Sequence, residues 1–317
     1  MSRPLYRDLN TALRERFGCR VQKISLDAGL TCPNRDGRVG LGGCIYCNSL
    51  GSGTGASRYH SITSQLESGK AYLRKRYKAK RFIAYFQSFS NTYGPPEQLR
   101  SLYEEALAVS DIVGLTIGTR PDCAEEPVLD LLTELSEKTY VSVEYGLQSI
   151  HNRTLKLINR GHTFETFLDG VTRTRARGLE ICVHVILGLP GEDKGDMLET
   201  ARRLGETDIQ AIKIHLLYVI QNTPLHRLYE EGRYRCLSRE DYVDIVCDFL
   251  SLLPPHVVIH RLTGDPHPGE LVAPLWALEK QANLQAIRET LLKRDMWQGK
   301  AFGNRECSAN GVVRIQT

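Results

Sequence analysis

Cys32, Cys44 and Cys47 stand in a C-x11-C-x2-C pattern. Three clustered thiols are one short of the four that close a structural zinc site. A [4Fe–4S] cube held by three cysteines keeps one iron without a protein ligand. That iron can bind a small molecule and pass it an electron. Gly37, Gly40, Gly42 and Gly43 punctuate the intervening loop. Glycine lets a chain turn tightly around a bulky group because it tolerates positive φ. Two other readings stay open on these residues alone. A zinc loop closes with His60 or a distant cysteine as its fourth ligand. A redox disulfide joins Cys44 to Cys47, although the thioredoxin type stands alone at a helix start.

A scaffold must hold such a loop, and its pattern is visible. Residues 5–17 space their apolar side chains as an amphipathic helix does. Residues 21–26 predict a strand that runs straight into the cysteine loop. Strands are predicted at 81–86, 112–117, 140–145, 180–187 and 210–217, all rich in β-branched or aromatic residues. Helical stretches lie between them, near 61–77, 96–109, 125–137, 164–177 and 192–206. Alternation of this kind predicts an α/β fold with a parallel sheet wrapped by helices. Six strands fit a partial (βα)6 barrel rather than eight repeats. Beyond residue 220 the pattern loosens into a helix at 238–252, a strand-like 257–260 and a helical run over 271–294. The predicted organisation is a helix at 1–18, a core barrel over 19–220 and an extension over 221–317 packed on it.

Parallel barrels collect their chemistry at the C-terminal ends of the strands. Unusual short motifs fall there: Gln87-Ser88-Phe89-Ser90-Asn91-Thr92, Gly118-Thr119-Arg120-Pro121-Asp122, Gly146-Leu147-Gln148-Ser149 and Gly188-Leu189-Pro190-Gly191-Glu192. The sixth strand carries Lys213, His215 and Tyr218. Each motif alone is an ordinary strand terminator. Together they form a rim able to hydrogen-bond an amino acid and a ribose and to pack an adenine.

The chain has 317 residues, 41% hydrophobic and 25% charged, with nine cysteines and a net charge of +4. No secretory leader opens it, and no run approaches the ~18 apolar residues of a membrane span. A cytoplasmic protein without a membrane partner is predicted, its thiols reduced and metal-binding rather than paired. Cys19, Cys123, Cys182, Cys236, Cys247 and Cys307 lack metal-like spacing and read as packed or surface thiols. Lys70 to Arg81 holds seven positive charges and no acid. This run reads either as a phosphate-contacting face with Tyr72 and Tyr77 for stacking, or as a solvated helix end.

The cysteine loop, the Gly-Leu-Gln-Ser turn at 146–149, Ile-Asn-Arg-Gly-His at 158–162 and Leu-Gly-Leu-Pro-Gly-Glu at 187–192 resemble radical S-adenosylmethionine (SAM) enzymes. They are similar to the branch that includes the elongator catalytic subunit and oxygen-independent coproporphyrinogen oxidase. Cys-Pro-Asn-Arg-Asp-Gly at 32–37, Arg-Leu-Thr-Gly-Asp at 261–265, Ala-Pro-Leu-Trp at 273–276 and Trp-Gln-Gly-Lys at 297–300 resemble the YhcC/YtqA-type radical SAM proteins. The first gap is longer than the commonest spacing of the superfamily, as also occurs in the elongator-like branch.

The resemblance implies a partial (βα)6 TIM-like radical SAM barrel, a [4Fe–4S] cluster on Cys32, Cys44 and Cys47, and SAM as second cofactor. Tyr46 would shield the cluster near the adenine. Gln87 and Ser88 would contact the methionine amino group, and Gly118 and Thr119 match the third-strand end. Gln148 and Arg160 match the residues that hold ribose and methionine carboxylate. His184 stands where the oxidase has an acidic ribose ligand, and it reads equally as a core histidine with a partner. The implied reaction is hydrogen abstraction by a 5′-deoxyadenosyl radical, with flavodoxin or ferredoxin as electron donor. The YtqA type implies tRNA as substrate, with a carboxymethylaminomethyl wobble uridine losing its carboxymethyl group. A protein or small-molecule substrate is the enzymatic alternative. A non-catalytic iron–sulfur or zinc protein that binds RNA is the alternative of another class.

Overall fold

The computed structural model describes residues 3–49, 51 and 60–303. The chain runs α1 (Leu9–Phe17), β1 (Val21–Leu26), the cysteine loop, α2 (Ile62–Tyr77), β2 (Arg81–Phe86), α3 (Pro96–Ala108) and β3 (Ile112–Thr119). It continues through α4 (Glu126–Ser136), β4 (Tyr140–Gln148), α5 (Asn152–Leu157), α6 (Phe164–Ala176), β5 (Glu180–Leu187), α7 (Lys194–Gly205) and β6 (Ala211–Leu216). It ends with β7 (Val219–Ile220), α8 (Pro224–Glu230), α9 (Arg239–Leu252), β8 (Val258–Arg261), β9 (Leu271–Ala273) and α10 (Lys280–Lys293). Strands β1 to β6 and β8 form one all-parallel sheet in chain order, curled into an open half-barrel.

Side-chain alternation sorts the two faces of each strand. On β5, Ile181, Val183, Val185 and Leu187 are at most 1% exposed and pack under the helices. Cys182 and His184 face the other way, into the barrel with Glu144. The same alternation sends Ile212 and Ile214 outward and Lys213 and His215 inward on β6. Burial of the outward apolar face contributes roughly 25 cal/mol per Å² and is the main force holding helices to sheet.

Six sheet strands were expected, and seven are present. Val258–Arg261 joins the sheet beside β6, with Ala211 opposite Val258 and Lys213 opposite Arg261. The strand is short and follows Pro254-Pro255, so its alternation is too brief to count as a repeat. Its outer edge is covered by the N-terminal segment. Arg7 O accepts from Ile259 N at 2.8 Å, and Asp8 bridges Ile259. That pairing satisfies an edge that would otherwise be open to other strands. The run expected as one helix over 271–294 is split. Pro274 disfavours helix at the preceding residue, so Leu271–Ala273 pairs with β7 and the helix starts at Lys280.

Gly114 shows how tightly β3 and β4 meet. A Cβ there would lie 2.4 Å from the Tyr140 carbonyl oxygen and 2.8 Å from its Cβ. Gly114→Ala is expected to cost about 1–3 kcal/mol, as overpacking against backbone does. Urea unfolding at constant m value measures it, and wild-type stability would contradict the contact.

Candidate active site

A cavity of about 350 Å³ opens at the C-terminal ends of the strands. Cys32, Cys44 and Cys47 all lie on its wall. The loop that carries them is held by its own turns and by the segment after α5. Arg35 N donates to Cys32 O at 2.8 Å, and Cys47 N donates to Cys44 O at 3.0 Å. Gly43 N donates to Asn34 O at 2.8 Å. Asn159 Nδ2 reaches Gly43 O at 2.7 Å, and Ile45 N donates to Ile158 O at 3.1 Å. The Ile-Asn-Arg-Gly-His segment is therefore a buttress for the cysteine loop. Gly161 needs its positive φ, and a Cβ there would meet Asn34 Oδ1 at 2.9 Å.

The donor set suits a cluster. Three thiols share one cavity wall, and none of the described cysteines forms a disulfide. The Cys47 thiol beside it, and Arg160 against the opposing effect of burial, hold Cys44 well below the usual thiol range. Arg160 Nη1 lies 3.5 Å from Cys44 Sγ. Thiolate is the ligating form, and a buried guanidinium compensates its charge. His60 is exposed and off the cavity wall, so it does not stand as a fourth ligand beside the three thiols. Cys123, Cys182 and Cys247 are buried, Cys19 and Cys236 half-buried, and all five lie off that wall. Cys307 lies outside the described residues.

Tyr46, Gln87, Gly118, Thr119, Gln148, Arg160 and His184 also line the cavity. Ser88 does not. Successive strand-end residues point to opposite sides, so Tyr85 and Gln87 face the cavity while Ser88 is buried behind it, its Oγ without a partner. Thr119 faces inward but is bonded to Ser90 at 3.1 Å and Thr92 at 2.6 Å through its hydroxyl. Gly118 admits only hydrogen, since a Cβ would meet Phe86 O at 2.9 Å. At Gly146 a Cβ would meet Arg160 Nη2 at 2.6 Å. That space lets the guanidinium grip the Gly146 carbonyl, with Nε at 3.1 Å. Gln148 has φ +81, and the β4–β5 register shifts between Gly146 and Gln148. A non-glycine residue in the left-handed region is uncommon, and at Gln148 it coincides with a side chain on the cavity wall. The Gly188–Glu192 turn does not reach the wall. Its Glu192 bonds Ser149 instead.

The barrel interior holds a polar hub that the strand patterns left unread. The Glu144 side chain is fully buried, and its Oε1 accepts from Lys23 Nζ at 2.8 Å. Oε2 accepts from Lys213 and, at 2.8 Å, from His184 Nε2. His260 Nδ1 stands 3.6 Å away. Burial opposes the carboxylate, but Lys213 and Lys23 outweigh it and hold Glu144 well below the usual range. Burial lowers Lys213 to about 8, so at neutral pH both partners are charged. Burial, then Lys213, lowers His184 to about 4, and burial, then Lys23, lowers His260 to about 3. His184 is thus a neutral donor to Glu144 through Nε2.

These imidazoles set a pH dependence. The unfolded chain takes up their protons near pH 6.5, before the fold can, so stability falls as pH drops from 6.5 toward 4. Each adds on the order of 1.4 kcal/mol per pH unit across its window. Urea unfolding from pH 7 to 4.5 should show a smaller slope in His260→Gln than in wild type. Equal slopes would contradict the neutral assignment.

The basic run is not beside the cavity. A helix joining adjacent parallel strands runs antiparallel to them, so the end of α2 meets the start of β2, at the opposite end of the barrel. Lys70 is buried and paired with Glu67 at 2.8 Å, and Arg74 pairs with Asp111. Lys75, Arg76, Lys78, Lys80 and Arg81 remain exposed.

A model of the radical SAM superfamily matches residues 32–204, and one of the radical SAM C-terminal domain matches 209–293. The chain belongs to the radical SAM superfamily. It is 45% identical over 298 residues to YtqA of Bacillus subtilis, spanning 94% of this chain and 92% of that protein. It is 39% identical over 292 residues to YhcC of Escherichia coli K12, spanning 92% and 93%. The solved structure of archaeal Methanocaldococcus infernus Elp3 with N-terminus deletion (1-46) matches with TM-score 0.68 at 18% identity. It covers 88% of this chain and 64% of that one, and shows the shared fold. This radical SAM enzyme therefore takes a [4Fe–4S] cluster and SAM as cofactors. No helix among the described residues is long and apolar enough to cross a membrane.

Proposed function

We propose that this radical SAM enzyme removes the carboxymethyl group from a carboxymethylaminomethyl wobble uridine of tRNA. The observation that supports the radical site is the placement of Cys32, Cys44 and Cys47 on one cavity wall with the strand-end rim. The three cysteines hold the cluster. Once bound there and reduced by a flavodoxin or ferredoxin of the cytoplasm, the cluster would supply the electron for reductive cleavage of SAM, the source of the hydrogen-abstracting 5′-deoxyadenosyl radical. The protein's residues bind and shield. Tyr46, its phenol kept neutral by burial and by Cys44, covers the cysteine side. Gln87 takes the methionine amino group beside the open Gly118 backbone. Gln148 and Arg160 take the ribose and carboxylate, with Arg160 also neutralising Cys44. Thr119 acts as a support, its hydroxyl already bonded, and His184 lines the ribose side with Nε2 bonded to Glu144.

The resemblance of the motifs to the elongator-like branch and to the YtqA type supports tRNA as substrate. The basic end of α2 no longer supports it, being on the far side of the barrel. The test is nucleoside mass analysis of tRNA carrying 5-carboxymethylaminomethyluridine after anaerobic incubation with reduced enzyme and SAM. Conversion to aminomethyluridine is the expected result. Active SAM cleavage with unchanged nucleoside would overturn the substrate and leave the chemistry. In the same preparation, Gln148→Ala should keep its cluster and bind SAM roughly two- to tenfold more weakly, the loss of one neutral hydrogen bond. Equilibrium dialysis measures it, and unchanged affinity would contradict the role.

A further inference from the structure

We propose that Arg261 is the anchor for a carboxylate of the substrate, in a corner of the active cavity shared with His215 and Tyr218. Among the described residues, five cationic side chains line that cavity: Arg35, Arg120, Arg160, Lys213 and Arg261. Four are committed. Arg35 donates to Asn48 O and lies over the Phe89 ring. Arg120 pairs with Asp122 and donates to Arg160 O at 2.7 Å. Arg160 holds Gly146 O and Cys44 Sγ. Lys213 is paired with Glu144. Arg261, half-buried at the end of β8, has no hydrogen bond or ion pair among the described residues. A guanidinium taken partly out of water gains most from a planar, bidentate acceptor, and a carboxylate matches its fork.

Its neighbours point to the same ligand. His215 lines the cavity, and its buried Nε2 has no partner. Burial, then the Arg261 charge, keeps this imidazole neutral, so it can make one more hydrogen bond. An unsatisfied buried polar atom is costly, and a ligand would relieve it. Tyr218 lines the same corner, and its ring sits against Gly264, where a Cβ would lie 2.6 Å from Cε1. The Arg-Leu-Thr-Gly-Asp segment therefore supplies both the cation and the glycine that admits the tyrosine. The rim residues Gln87, Gly118 and Gln148 belong to the ends of β2 to β4, whereas these groups belong to the ends of β6 and β8. The corner is thus the substrate's side of the cavity. Glu270 on the wall accepts from Asn48 but has no cationic partner among the described residues, and it opposes a phosphate dianion more than a single carboxylate. The assignment rests on the substrate reading above, in which the group removed carries a single carboxylate.

Two measurements test it separately from that reading. In the first, cluster-loaded protein is treated with phenylglyoxal under argon, and arginine modification is mapped by peptide mass spectrometry. Arg261 should react early, and sarcosine (N-methylglycine) should slow that reaction at least tenfold. Methylamine should not, and inorganic phosphate should protect less than sarcosine. An unprotected Arg261, or stronger protection by phosphate, overturns the carboxylate anchor. In the second, binding of tRNA carrying carboxymethylaminomethyluridine is compared with tRNA carrying aminomethyluridine, without reductant. Wild type should prefer the former about ten- to hundredfold, the worth of one charged hydrogen-bonded contact. Arg261→Gln should bring the ratio near one, Arg261→Lys should keep an intermediate ratio, and binding of aminomethyl tRNA reports folding in both. A wild-type ratio in Arg261→Gln overturns the proposal. Sarcosine protection with no wild-type discrimination between the tRNAs keeps the anchor and removes tRNA as substrate.

Discussion

Cys32→Ala, Cys44→Ala and Cys47→Ala are each expected to emerge from anaerobic reconstitution with iron near background and without the visible absorption of a [4Fe–4S] cluster. Three protein ligands are the minimum that hold a cube with one open iron, so no variant has a spare. The loss should be close to complete, and SAM cleavage should vanish with it. Cys19→Ala and Cys236→Ala are the controls, because both side chains are half-buried away from the cavity wall. They should keep wild-type iron. Stoichiometric zinc in oxygen-free protein, or a cluster that survives Cys44→Ala, would contradict the ligand assignment.

The second large effect lies in stability. Glu144→Gln keeps the shape of the side chain but leaves Lys23 and Lys213 inside the barrel without their counter-charge. Breaking a buried pair from one side typically costs about 3–5 kcal/mol, since the remaining charge is uncompensated. Urea unfolding of the cluster-loaded protein under argon should show a loss of that size. Adding Lys213→Met should restore part of it, because the two sites are in contact and their effects do not add. A Glu144→Gln protein as stable as wild type would show that the hub does not depend on the ionised carboxylate.

Much of the scaffold was legible because it repeats. The stretch 180–187 reads Glu-Ile-Cys-Val-His-Val-Ile-Leu, and its apolar residues pack outward as the alternation requires. The cysteine spacing singled out the three thiols now on the cavity wall. Side-chain direction at strand ends was not legible. Ser88 follows Gln87 in sequence yet faces away, and Gln148 points inward through a positive φ and a register shift that no residue type announces. The hub was missed although a signal existed. Glu144 interrupts the apolar run Tyr-Val-Ser-Val-Glu-Tyr, and a carboxylate in a strand buried on both faces needs a cationic partner. The basic run was conspicuous as composition and misleading as position. Residues between a helix end and the next parallel strand lie at the N-terminal face, away from the chemistry.

The most direct measurement is the product of SAM turnover. Cluster-replete protein, reduced with dithionite under argon and given SAM, is expected to form 5′-deoxyadenosine and methionine in equal amounts, read by liquid chromatography. The reaction should be slow without substrate and absent in Cys44→Ala. Cluster-replete, reduced protein that binds SAM and forms no 5′-deoxyadenosine would contradict the account.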